Sequence, residues 1–379
     1  MIRSTMALAF YRKYRPKQLG DIIGQETNVT LLKNAARENR LGHAYLFYGP
    51  RGTGKTSTAR LIAKLLNCER RRNEAMFAKI GEPCNACTAC VSVDTQGSFD
   101  VIEIDAASNR GIDEIRNLKE SIVLAPSQGA HKVYIIDEAH MLTPAAWNAL
   151  LKTLEEPPRH AVIILATTEY EKLPPTITSR TQRFLFKRLS KAQIMEKLRR
   201  IAKAEKVSID DDALEIIAAA GEGSARDAES LLDQAASWGE KIDARTVEEL
   251  TGRAGLRKVH ALAELLLKKD LPSALEALRA RHDEGHNMND FIKDLIHYIR
   301  RVLTLALNPA LIKAYRVEFT DEELKLLQSL TPLAKSEMTA PLLRALIRGY
   351  GEMRYSPFAT IPIEIAFVEQ LKSKEVGLP

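Results

Sequence analysis

The chain has 379 residues, enough for two or three domains, with 45% hydrophobic residues, a net charge of +6 and a pI near 9.0. No apolar run approaches the roughly 18 residues of a membrane span, and the short apolar stretch 6–10 meets Arg12, Lys13, Arg15 and Lys17 at once, which is no secretory pattern. These features argue against an exported or membrane-associated protein and lead to the expectation of a cytoplasmic one, with a basic charge that suits a polyanionic partner.

The first predicted strand, 43–48, runs directly into Gly49, Pro50, Arg51, Gly52, Thr53, Gly54, Lys55, Thr56 and Ser57, and a helical pattern continues to residue 67. Strand, glycine-rich turn and helix in this order have the spelling and the context of a phosphate-binding loop. The glycines let successive backbone N–H groups turn inward, and the helix that starts near Lys55 adds its positive end. Lys55 is expected to neutralise the β- and γ-phosphates of a nucleoside triphosphate, and Thr56 to hold Mg²⁺.

All four cysteines follow within one short segment, Cys68, Cys84, Cys87 and Cys90. Four thiolates close a tetrahedral zinc site, and the two-residue gaps let neighbouring sulfurs converge on one ion. Disulfides and an iron–sulfur cluster are the alternatives. A four-sulfur zinc site has no open position, so the expected role of this module, 68–90, is structural. It reads as an insertion before the next strand, 100–104.

Strands and helices then alternate: a helix near 111–124, a strand over 131–136, a helix over 144–154 and a strand over 162–167. The strand 131–136 ends in Asp137 and Glu138, and the carboxyl end of a parallel strand is where an α/β sheet presents ligand groups. Asp137 is expected in the Mg²⁺ shell, with Glu138 orienting or deprotonating the attacking water. Thr143 as cap with Pro144 after it starts the next helix, and Glu155-Glu156-Pro157-Pro158 stops it. The alternation implies a parallel sheet covered by helices. After 183–186 the strand signal disappears. A helical bundle is predicted over 190–251, with periodic stretches at 194–206, 211–220 and 224–237, and a further helical region over 256–374 includes 289–307 and 335–353.

Several motifs together resemble those of one family. They are Tyr11-Arg-Lys-Tyr-Arg-Pro16, Ile23-Gly-Gln-Glu26, His43-Ala-Tyr-Leu-Phe47, Glu103-Ile-Asp-Ala-Ala-Ser108, Leu150-Leu-Lys-Thr-Leu-Glu-Glu-Pro-Pro158, Leu165-Ala-Thr-Thr168 and Gly223-Ser-Ala-Arg-Asp227. With the cysteine module they span nearly the first 240 residues and look like the gamma/tau family of bacterial DNA polymerase III clamp-loader ATPases. The resemblance implies an AAA+ fold of three domains: a nucleotide-binding domain over 1–188, a helical lid over 189–252 and a helical collar over 253–379.

It also implies roles for single residues. Thr168 falls where the family has its first sensor of the γ-phosphate, and Arg226 matches the lid arginine that reports phosphate state. Arg180 matches the finger inserted into a neighbouring subunit's site, with Thr181 where the family usually has cysteine. Tyr11, Arg12 and Pro16 match the segment near the adenine. Arg110 and Lys152 lie in segments that the family turns toward DNA. The implied activity is ATP-driven loading of a sliding clamp onto primer–template DNA. Its implied setting is a hetero-oligomer, a pentamer of clamp-loader subunits, working with the replicative polymerase. Two other readings stand beside it. Asp137-Glu138-Ala139-His140 also spells a helicase box, which would require a second motor domain, and a scaffold of the same assembly would have no need of an intact phosphate loop.

Overall fold

The computed structural model describes residues 8–109, 118, 120–238, 241–252, 255–319, 321–335, 337–358 and 360–371. The chain divides into two compact units, one ending at Leu189 and the other beginning at Ser190.

The first unit carries five parallel strands: β1 (Ala44–Tyr48), β2 (Val101–Asp105), β3 (Lys132–Asp137), β4 (Ala161–Thr167) and β5 (Gln182–Leu185), in the spatial order β2-β3-β4-β1-β5. The continuous apolar runs of β3 and β4 follow from burial on both faces. Successive side chains point to opposite faces, so Tyr134, Ile136, Ile163 and Leu165 pack with Trp147, Leu150 and Leu154. Val133, Ile135, Val162 and Ile164 pack on the other face with Ala59, Leu61 and Ile62.

The helix Lys55–Asn67 is buried almost all round, and its buried polar side chains, Lys55, Thr58, Arg60, Lys64 and Asn67, each find partners. Arg60 makes two hydrogen bonds to Glu103, at 2.7 and 2.8 Å, and Asn67 exchanges two with the backbone of His131, both 2.9 Å. The helix Pro144–Glu155 begins as its sequence directs, with the Thr143 hydroxyl accepting from Ala146 N at 3.3 Å. The predicted helix 111–124 lies largely outside the described residues, as does Arg110. Residues 118 and 120–123 are helical.

The second unit opens with a capping box, Ser190 and Gln193, at the start of the helix Lys191–Glu205. Helices Asp211–Ala220 and Ala225–Ala236 follow. One feature departs from the predicted all-helical bundle: Ser208–Ile209 and Lys241–Ile242 pair as a parallel two-residue ladder. Two residues are too few to produce an alternating pattern, so the ladder left no signal. Farther on, the helices Leu256–Leu267, Met288–Leu307, Thr339–Glu352 and Ile361–Leu371 share a core that includes Phe291, Leu295, Ile299, Val302 and Phe367. The helix predicted over 335–353 starts only at Thr339, because Pro341 is tolerated in a first turn and not in a helix interior. Among the described residues after Leu189 there is no second parallel sheet of the kind a helicase motor would need, and no helix is long and apolar enough to cross a membrane.

Candidate functional site

The phosphate loop leaves β1 at Tyr48 and turns back under β4 and the end of β5. Gly49 N donates to Thr167 O at 3.2 Å. Gly49 has φ +139°, and a Cβ there would stand 2.1 Å from Phe186 O, so only glycine fits. Gly54, at φ +103°, opens the helix Lys55–Asn67. Lys55 is 6% exposed, and its Nζ donates to the carbonyls of Gly49 and Pro50, both at 2.8 Å. Thr53 Oγ1 donates to Pro50 O at 2.8 Å, which closes the loop on itself. Burial lowers the Lys55 pKa, and the carboxylates of Glu138 and Asp137 pull it back up. The ammonium is thus held at the loop with two acidic groups in its field. Gly52 and Ser57 are half-buried and Arg51 is exposed.

The acidic end of β3 meets this loop through register. Tyr48 stands opposite Thr167 and Ile136 opposite Leu165, so β1, β3 and β4 end together. Thr56 Oγ1 donates to Asp137 Oδ2 at 2.7 Å, across 81 residues of sequence. A hydroxyl and a carboxylate this close suit a hard, oxygen-seeking cation such as Mg²⁺, which keeps several waters and takes few protein ligands. Glu138 follows in a left-handed conformation, φ +47°, uncommon for a residue with a side chain. Thr168 Oγ1 donates to Glu138 Oε2 at 3.0 Å.

Three residues around Glu138 escaped the sequence reading. The His140 side chain is 7% exposed, and its Nδ1 lies 3.0 Å from Thr167 Oγ1 and 3.5 Å from Glu138 Oε2. Its Nε2 lies 3.1 Å from Glu169 Oε1. His140, Thr167 and Glu169 therefore fix the surroundings of the carboxylate that Thr168 touches. The sequence signals were the fourth letter of Asp-Glu-Ala-His for His140 and the third letter of Leu-Ala-Thr-Thr for Thr167.

The remaining candidates stand on other elements of the chain. Arg180 directs its hydrogen bonds to Glu155, Thr176 O and Ser179 Oγ, and none goes to the phosphate-loop residues. Lys152 is exposed on the helix Pro144–Glu155. Tyr11 and Arg12 sit on the one-turn helix Phe10–Lys13, with Arg12 Nε donating to the Tyr11 hydroxyl at 3.1 Å, and Pro16 follows that helix. Arg226 belongs to the second unit, exposed in the first turn of the helix Ala225–Ala236, which Ser224 caps.

Cys68, Cys84, Cys87 and Cys90 are all free thiols whose sulfurs lie within 4.8 Å of one another. Sulfurs on a zinc tetrahedron with Zn–S of about 2.3 Å stand roughly 3.8 Å apart, and Cys84 Sγ to Cys90 Sγ is 4.0 Å. Burial pushes the Cys84 thiol up, yet the N–H groups of Ala86 and Cys87 aimed at it bring it down to about 7. Burial raises Cys68 and Cys90, so these two thiols stay protonated unless a cation beside them compensates the thiolate charge. The donor set and spacing fit zinc.

A closed phosphate loop, an acidic strand end and a threonine on the adjacent strand end come together on one parallel sheet, the arrangement of a P-loop nucleotide-binding fold. Three family models match in succession: "DNA polymerase III, delta subunit" over residues 24–190, "DNA polymerase III clamp loader subunit, ATPase lid domain" over 193–241, and "DNA polymerase III subunits gamma and tau domain III" over 242–376. The chain belongs to the family of DNA polymerase III gamma and tau subunits. It is 42% identical to DNA polymerase III subunit tau of Bacillus subtilis over 95% of this chain and 62% of that one. It is 36% identical to the gamma/tau subunit of Mycobacterium tuberculosis over 94% and 61%, and 35% identical to subunit tau of Escherichia coli over 95% and 54%. The chain thus spans little more than half to three-fifths of the length of these relatives.

Proposed function

We propose that this chain is an ATP-driven subunit of the clamp loader of a replicative DNA polymerase III holoenzyme, a cytoplasmic ATPase that loads a sliding clamp onto primer–template DNA. The observation that carries this reading is the convergence of Lys55, the Thr56–Asp137 pair and the Thr168–Glu138 pair at one end of the sheet. Lys55 exchanges the carbonyls of Gly49 and Pro50 for the phosphates of ATP, and the backbone N–H groups from Gly49 to Ser57 cradle them. Thr56 and Asp137 would hold Mg²⁺, which when bound supplies charge neutralisation across the β- and γ-phosphates. Glu138 accepts the proton of the attacking water, and Thr168 holds the Glu138 carboxylate and senses the γ-phosphate.

In this reading residues 1–188 form the AAA+ nucleotide domain, 189–252 the lid and 253–379 the collar that joins the other clamp-loader subunits in a pentamer. Arg180 acts in trans on a neighbour's nucleotide, and Arg226 reports its phosphate state to the lid. Tyr11, Arg12 and Pro16 line the adenine. Cys68, Cys84, Cys87 and Cys90 hold a structural zinc. Arg110 and Lys152 meet the DNA backbone through charge, without sequence preference. The switch works by differential binding: ATP favours the assembled, clamp-holding state, and hydrolysis removes that bias. The test is ATP turnover with and without sliding clamp plus primed DNA. Strong stimulation by the two together supports the reading, and turnover indifferent to both overturns it.

A further inference from the structure

Glu82 is 4% exposed, and a carboxylate so buried needs partners. It has three, all outside the cysteine segment that carries it. Its Oε2 accepts from Leu19 N at 2.7 Å, and its Oε1 accepts from Gly20 N at 3.1 Å and pairs with Lys33 Nζ at 2.7 Å. Gly81 makes the approach possible: at φ +75° it lies so close to the helix Glu26–Arg37 that a Cβ would stand 2.8 Å from Lys33 O. Three residues after Glu82, Asn85 donates from Nδ2 to Lys17 O at 2.9 Å. Its Oδ1 accepts from Lys64 Nζ at 2.9 Å, and Lys64, 1% exposed on the helix Lys55–Asn67, also pairs with Asp94 at 2.7 Å.

Residues 81–85 therefore grip the chain at 17–20 with one hand and the phosphate-loop helix with the other, and Cys84 lies between the two grips. The gripped segment continues to Ile22, which packs with Leu19, Phe47, Ala59 and Ile62. The Ile22 Cγ2 lies 3.5 Å from where a Cβ on Gly54 would stand, so this segment forms a wall beside the start of the phosphate-loop helix.

We propose that Glu82 and Asn85 are positioning residues that make nucleotide affinity depend on the integrity of the cysteine cluster. Closure of the four sulfurs fixes the backbone at 84–90. That fixes where Glu82 and Asn85 reach, and their hydrogen bonds set the wall at 17–22 against Gly54. Zinc held by Cys68, Cys84, Cys87 and Cys90 would supply ordering free energy to this clasp as well as to its own loop. No hydrogen bond of the clasp reaches Glu138 or Thr168, so the effect falls on binding and not on hydrolysis. The inference rests on the nucleotide-site reading above.

The experiment uses the purified full chain and four readouts: Kd for a fluorescent ATP analogue, KM and kcat of hydrolysis, zinc content and thermal unfolding. Glu82→Gln and Asn85→Gly, the latter compatible with the left-handed backbone at φ +57°, are each expected to raise Kd and KM about tenfold with kcat unchanged. Wild-type protein stripped of metal by a chelator should show the same rise, and stripping Glu82→Gln should add little more, because the two changes act on one clasp. Glu74→Gln, in an exposed pair with Arg70 of the same segment, should change nothing. A purely structural role would reduce kcat through loss of active protein and leave KM alone, and that outcome overturns the proposal. So does metal-stripped wild type that binds the analogue with unchanged Kd, an arm that needs no substitution to fold. Lys55→Ala binding as tightly as wild type would sink the nucleotide-site reading itself, and the clasp with it.

Discussion

Arg180 lies on Glu155 of its own chain: its Nε and Nη2 stand 3.0 and 2.8 Å from the same carboxylate oxygen. Both side chains are more than a third exposed, and such pairs contribute about 0–1 kcal/mol. Leaving Glu155 therefore costs the arginine little, as the proposed contact with a neighbour's phosphate requires.

That arrangement predicts the behaviour of Arg180→Ala. Arginines placed on a neighbour's phosphates contribute about 10³–10⁵ in rate. The variant should bind ATP normally and lose hydrolysis stimulated by clamp and DNA by at least about 10³. Mixed with Lys55→Ala, it should regain partial activity, since one chain supplies an intact pocket and the other an intact finger. Turnover assays on verified mixed oligomers decide the matter, and full activity of Arg180→Ala alone removes it from any role in trans.

Lys55 and Glu138 should separate binding from chemistry. Lys55→Ala deletes the charge held at the loop carbonyls, so filter binding should show weakened ATP affinity. Glu138→Gln keeps shape and hydrogen-bonding capacity while losing the base, so ATP should bind with turnover down by about 10²–10⁴. A Glu138→Gln protein hydrolysing at the wild-type rate would take Glu138 out of catalysis.

Thr168→Val keeps the side-chain volume and deletes the donor that holds Glu138 Oε2. Hydrogen bonds to charged groups contribute about 1.5–3 kcal/mol, so kcat should fall about ten- to a hundredfold with KM little changed. An unchanged kcat would mean that the 3.0 Å contact does not position the carboxylate during the reaction.

The cysteine cluster should yield one zinc per chain on elemental analysis. Cys87→Ser should lower that content and make the segment around 68–90 more sensitive to protease, because metal binding and local folding are coupled. Iron with visible absorbance, or no metal at all, would refute zinc.

Much of this was legible in the sequence for reasons that are local. The phosphate loop announces itself because positive φ at Gly49, Gly52 and Gly54 demands glycine at fixed spacing. β3 and β4 announce themselves because burial on both faces forces unbroken apolar runs. The contacts that matter most at the site are not local. Thr56 meets Asp137, and Thr168 meets Glu138, only because the strand register aligns three strand ends. Glu82 gave no signal, since a glutamate before a proline reads as a solvated turn and only the fold buries it against Leu19 and Gly20. The ladder between Ser208–Ile209 and Lys241–Ile242 was hidden by its shortness.

The most direct test of the central claim is a count of closed clamps left on primed circular DNA by loaders whose ATP sites come from this chain. With the wild-type chain and ATP, clamps should accumulate over many rounds. With Glu138→Gln, the loader should hold clamp and DNA in an ATP-bound complex and release almost none, and with Lys55→Ala the complex should not form. Wild-type levels of loaded clamp from the Glu138→Gln or Lys55→Ala chain would contradict the account.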